Sequence, residues 1–240
     1  MSQSQGKTIL ILHGWGSSSE KWREVGKFLS RNNFQVIAPD LPGFGKSPVP
    51  PKAWDIDDYV EWVKNFIAQQ KLESFFLLGH SFGGSLAIKF VLKYPEKVQK
   101  LILVAPACIR KKTLKKQILA KISKIFGFFS FLPFYSLVRK MFYKFIVGKS
   151  DYLYFNGVMR ESYLKIINQD LSDKLSLLKV PTTIIWGKKD DVVPLKDAYL
   201  INKKMANSKL MVIPEGDHDM EQRLPDVLSK KILENISYNY

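Results

Sequence analysis

The chain reads as an α/β fold: about six mostly parallel strands, helices on both faces, and one inserted helical cap. Three observations predict this. Short, nearly continuous apolar runs alternate with segments of helical periodicity, as parallel strands covered on both faces require. At 240 residues, with 46% hydrophobic and 13% aromatic side chains, the chain can bury one large core. The alternation breaks once, over 107–176, where only helical patterns occur. The expected division is therefore a core of 1–106 and 177–240 and a cap of 107–176.

In order along the chain, strands are expected at 8–12, 35–38, 75–78, 101–104, 183–186 and 210–213. Helices are expected at about 18–31, 57–70, 83–94, 195–206 and 222–235. Strand–helix–strand units of this kind build parallel sheets through right-handed crossovers. Within the insertion, Leu114, Ile118, Ile122 and Ile125 keep helical spacing, with Lys115, Lys116, Lys121 and Lys124 among the remaining positions. Gly127 and Pro133 interrupt this pattern, and Val138, Met141, Phe142 and Phe145 begin a second.

Composition excludes several function classes. The uncharged stretch of the insertion, 125–138, has 14 residues with Pro133 inside it, too short and too broken to span a bilayer. The N-terminal apolar run is too short for a signal peptide. Three histidines far apart and a single cysteine, Cys108, argue against a structural zinc site. One cysteine also forbids an internal disulfide, as suits a reducing, cytoplasmic setting. The net charge of +15 is concentrated: eleven Lys/Arg lie from Arg110 to Lys149, with no Asp or Glu between Ala107 and Ser150. The plainer reading of this basic, aromatic cap is a lid with a solvated lysine face. A functional reading is an acyl pocket beneath it, with the lysines drawing an acidic carrier protein or an anionic membrane surface. No nucleic-acid-binding module accompanies the charge.

The strongest chemical signal is GHSFGG at 79–84, which fits G-x-S-x-G. It follows an apolar strand and opens a helix, so a sharp turn lifts the Ser81 hydroxyl out at the strand end. Gly79 and Gly83 let neighbouring backbone approach without a Cβ clash. The helix behind Ser81 turns its N-terminal N–H groups toward an oxyanion. Two other motifs fail. ILHGWGSSS imitates a dinucleotide fingerprint, with Asp40 after the next strand, but Ser19 stands where the third glycine belongs. PGFGKS ends like a phosphate-binding loop, but Asp40 stands where its first glycine belongs.

Five stretches, LILHGWG, VIAPDLPGFGKS, LLGHSFGG, IIWGKKDDVVP and PEGDHD, stand in an order and spacing that resembles the α/β-hydrolase superfamily over nearly the whole chain. HGWG with a helical cap is similar to carboxylesterases, while GHSFGG is shared by esterases, thioesterases and C–C bond hydrolases. The resemblance implies a nucleophile–acid–histidine order. Ser81 is then the nucleophile. His218, the sole histidine after it, is the base, and Asp190 is the orienting acid with adjacent Asp191 as rival. It further implies an oxyanion hole from the backbone N–H groups of Trp15 and Phe82, and no cofactor. Serine at 81 sets the chain apart from relatives with an aspartate nucleophile. Ester or thioester hydrolysis through an acyl-enzyme is expected. C–C bond or lactone hydrolysis by the same residues, or a non-catalytic ligand-binding protein on this fold, are the alternatives. Two departures stand out. The HG strand begins near residue 7, with no antiparallel pair before it. Asp219 and Met220 follow His218 where an apolar or aromatic residue is common.

Overall fold

The computed structural model describes residues 7–110 and 156–236. Six strands form one fully parallel sheet in the order β2-β1-β3-β4-β5-β6. They are β1 (Lys7–Leu12), β2 (Phe34–Ile37), β3 (Phe75–His80), β4 (Val98–Val104), β5 (Thr182–Gly187) and β6 (Ser208–Ile213). Every residue of β3 and β5 is buried, which is why the expected runs within them, 75–78 and 183–186, are nearly continuous in apolar residues.

Alternate residues of each strand feed two cores. Leu10, Leu12, Leu77, Leu101, Leu103, Ile184 and Trp186 face one side, under α2 (Ile56–Gln69), α3 (Phe82–Lys93) and α5 (Leu195–Lys204). Ile9, Ile11, Phe76, Leu78, Ile102, Val104 and Ile185 face the other, under α1 (Arg23–Arg31) and α7 (Pro225–Ile236). The strand period of two delivers both sets at once. Each such side chain, fully buried, stabilises the fold by about 1.5–3 kcal/mol.

Helix boundaries depart from the sequence pattern in two places. The segment expected as one helix from 18 splits into a 3-10 turn, Ser19–Trp22, followed by α1. The last helix splits into α6 (Met220–Arg223) and α7, because Pro225 has no N–H to continue α6 but suits the first turn of α7. The start of α2 is set locally. Asp55 accepts from the amides of Asp57 (2.8 Å) and Asp58 (3.1 Å), while Asp58 reaches back to the Asp55 amide (2.9 Å). This is a reciprocal capping box.

Between β4 and β5 lies α4 (Gly157–Ile167), anchored onto the loop before α2. Ser162 Oγ accepts from the Trp54 amide at 2.9 Å, and Lys165 Nζ donates to the Ala53 carbonyl at 2.7 Å. The two helical patterns at 114–125 and 138–145, and all of the basic run beyond Arg110, lie outside the described residues. Among the described residues no helix is long and apolar enough to cross a membrane.

Candidate active site

Because all six strands are parallel, their C-terminal ends share one edge of the sheet, where ligands of open α/β sheets bind. The loops at 13–16, 81–82, 188–193 and 214–219 all leave from that edge.

Ser81 stands between β3 and α3 with φ 52° and ψ −114°. This left-handed conformation costs a non-glycine residue about 1–3 kcal/mol and persists only where the surroundings enforce it. They do so here. The Ser81 amide donates to the Val104 carbonyl at 3.0 Å, and the Ser81 carbonyl accepts from Gly84 (3.1 Å), Ser85 (3.3 Å) and Ala107 (3.0 Å). A Cβ at Gly83 would run into the carbonyl oxygens of Leu12 and His13, so only glycine lets the turn close against β1. Phe82 is the first residue of α3, and its amide is one of the helix's N-terminal donors without an intrahelical partner. The Trp15 ring packs edge-on against Phe82 at 5.3 Å and Phe44 at 4.8 Å, which seats the 13–16 loop beside Ser81.

The acid and the histidine meet. His218 Nδ1 lies 2.8 Å from Asp190 Oδ2. A carboxylate only accepts, so Nδ1 carries the proton and Nε2 keeps its lone pair. The Asp190 side chain has no exposed surface, and its Oδ1 accepts from the amides of Val192 (2.9 Å) and Val193 (2.8 Å). Asp191 is exposed, so Asp190 is the residue that pairs with the imidazole. Burial pulls the His218 pKa down, but the Asp190 hydrogen bond and charge, with the charges of Asp219 and Glu221, outweigh it and hold the pKa above the usual histidine value. Ser81 Oγ and the His218 ring are not joined by a hydrogen bond. Such contacts often tighten only with substrate bound.

The other two histidines are structural neighbours of this site. His13 Nε2 accepts from the Leu41 amide at 2.9 Å, so its Nδ1 is the protonated nitrogen and donates to the Gly14 carbonyl at 2.8 Å. Burial lowers the His13 pKa, and these two hydrogen bonds tie the HGWG loop to the chain at Leu41. His80 reaches the main chain of His218, with Nε2 3.0 Å from the His218 carbonyl and the two rings 4.8 Å apart. Sequence reading gave His80 no role; its one signal is a polar side chain ending a strand that is otherwise wholly apolar. Glu221 was also passed over. It is 1% exposed and its Oε2 has no hydrogen-bond partner. Burial pushes its carboxyl up to about 7.

Two rival chemistries are removed locally. Asp40 accepts from the amides of Ser19 (2.7 Å) and Lys46 (2.8 Å), so it braces a turn where a dinucleotide site would need it for a ribose. Burial pushes the Cys108 thiol up to about 12, leaving it protonated and a poor nucleophile.

The family model described as alpha/beta hydrolase fold matches residues 7–152. The chain is 30% identical to monoacylglycerol lipase ABHD6 of Mus musculus, covering 95% of this chain and 74% of that protein. It is 25% identical to the 2-hydroxy-6-oxo-6-phenylhexa-2,4-dienoate hydrolase of Burkholderia cepacia, covering 96% and 87%. The solved structure of an esterase from Exiguobacterium antarcticum superposes with a TM-score of 0.76 at 25% identity, covering 97% of this chain and 92% of that one. With the parallel sheet and the family match over residues 7–152, the chain belongs to the α/β hydrolase fold family.

Proposed function

We propose that this protein is a serine hydrolase that cleaves a carboxylic ester or thioester through an acyl-enzyme on Ser81. The observation that supports this most is the 2.8 Å bond between His218 Nδ1 and Asp190 Oδ2, at the sheet edge where Ser81 stands in its strained turn. His218 Nε2 takes the Ser81 proton as Oγ bonds to the acyl carbon. The tetrahedral oxyanion is held by the Trp15 and Phe82 amides, each such donor worth roughly 3–4 kcal/mol of transition-state stabilisation. Collapse breaks the bond to the leaving group, which receives the proton back from the imidazolium. Water then repeats the sequence and frees the acid, so no cofactor enters the cycle.

In this reading 107–176 is a cap over the site, the substrate is a small acyl compound, and the basic cap segment faces an acidic carrier or an anionic surface. The single buried thiol suits a cytoplasmic enzyme. Likeness to the Burkholderia cepacia hydrolase carries a second reading, cleavage of a C–C or lactone bond by the same residues. A panel of p-nitrophenyl esters of rising chain length, with thioesters, monoacylglycerols and lactones alongside, tests the choice. Turnover of esters or thioesters by the wild type, lost in Ser81→Ala, is expected. Failure on every ester and thioester would end the first reading.

A further inference from the structure

We infer that His80 is a positioning residue of this reaction: its Nε2–H grips the main-chain carbonyl of His218 and sets where that imidazole stands relative to Ser81. The inference rests on the proposed triad. His80 is the last residue of β3 and the chain neighbour of Ser81, while His218 lies 138 residues away in the loop after β6. The 3.0 Å bond between them is therefore a direct tie from the nucleophile's strand to the base's loop. A carbonyl only accepts, so Nε2 is the protonated nitrogen and, in the neutral ring, Nδ1 is not.

Packing holds the ring in that pose. The Trp22 ring lies 5.8 Å away and the His218 ring 4.8 Å away, centre to centre. On the oxyanion-loop side, a Cβ at Gly14 would stand 3.3 Å from His80 Nδ1 and 3.3 Å from the Ser81 Cβ. His80 is thus wedged between the oxyanion loop, the 3-10 turn before α1 and the base loop. His80 is 3% exposed, and its Nδ1 is buried without a hydrogen-bond partner among the described residues. A leucine or phenylalanine would fill this space without leaving a ring nitrogen unpaired, so packing alone does not explain an imidazole here. Burial holds the ring's pKa well below the ordinary value, helped by the nearby His218 charge, so the donor stays in one protonation state while His218 titrates.

The test compares His80→Gln, His80→Asn and His80→Leu in p-nitrophenyl butyrate turnover, with thermal unfolding recorded for each. A glutamine amide reaches the Nε2 position; an asparagine amide reaches only Nδ1. We expect Asn and Leu to lower kcat by about 10- to 100-fold, the effect of a small misplacement of a reacting group, with KM little changed. Gln should recover most of the loss, with a pH profile of wild-type shape because His80 does not titrate in the working range. Wild-type kcat in folded His80→Leu, or Gln no better than Asn, would overturn the inference. If those results came while Ser81→Ala and His218→Ala were both inactive, the triad reading would survive without it. Activity in Ser81→Ala would end both.

Discussion

Asp190 divides its work between two oxygens. Oδ1 is committed to the Val192 and Val193 amides, which fixes the carboxylate, and Oδ2 faces the His218 Nδ1–H. Asp190→Asn offers an amide that cannot hold this tautomer, so kcat is expected to fall by about 10⁴-fold, while Asp191→Asn stays within a few-fold of wild type. Steady-state kinetics on one ester checks both. The reverse ranking would move the acid one residue along. For the proposed transfer of the Ser81 proton His218 must be neutral, and its pKa is held above the usual value. The acid limb of kcat/KM is therefore expected to lie above that of a free imidazole. The turn motif around Ser81 and the strand ends before Asp190 and His218 were legible in the sequence, and order along the chain favoured Asp190 with Asp191 as its rival. What distinguishes the two is the turn after β5, where the Asp190 amide donates back to the Gly187 carbonyl and its carboxylate meets His218 while Asp191 is exposed.

At the scale of elements, hydrophobic periodicity accounts for most of what the sequence revealed. The six strands were readable as apolar runs because both faces of the sheet are covered. The break between α6 and α7 hides at Pro225, where the apolar spacing runs on but the hydrogen-bond ladder cannot. The Asp55 capping box makes an element-level prediction. Asp55→Ala removes the oxygen that accepts from two amides and is expected to destabilise the protein by about 1 kcal/mol, read as a shift in urea midpoint with an unchanged slope. No change in midpoint would mean that α2 is held by packing alone. The tie between β3 and the base loop had no such local signature. A contact across 138 residues is decided by which strands become neighbours of which loops, and periodicity says nothing about that.

Across the whole molecule, buried ionisable groups pull stability in opposite directions with pH. His13 and His80 have folded pKa values below the unfolded one of about 6.5. Their contribution is present above that value and lost as pH falls toward their folded values. Glu221 runs the other way. Its carboxyl titrates near 7 in the fold against an ordinary 4.5, so its contribution is full below 4.5 and lost as pH rises through about 7. The cost at pH 8 is at most about 3 kcal/mol. Glu221→Gln is therefore expected to raise Tm relative to wild type more at pH 8 than at pH 5, in differential scanning fluorimetry at both. An equal difference at the two would mean that the carboxyl is not desolvated. The basic segment that supplies most of the +15 net charge was plain in the sequence, yet its expected helices fall outside the described residues.

Whether Ser81 carries the acyl group is best asked by intact-mass and peptide mapping after reaction with a fluorophosphonate probe. One adduct is expected, on the peptide holding Ser81, absent in Ser81→Ala and formed far more slowly in His218→Ala. Esterase turnover with no adduct at Ser81, or undiminished labelling of Ser81→Ala, would contradict it.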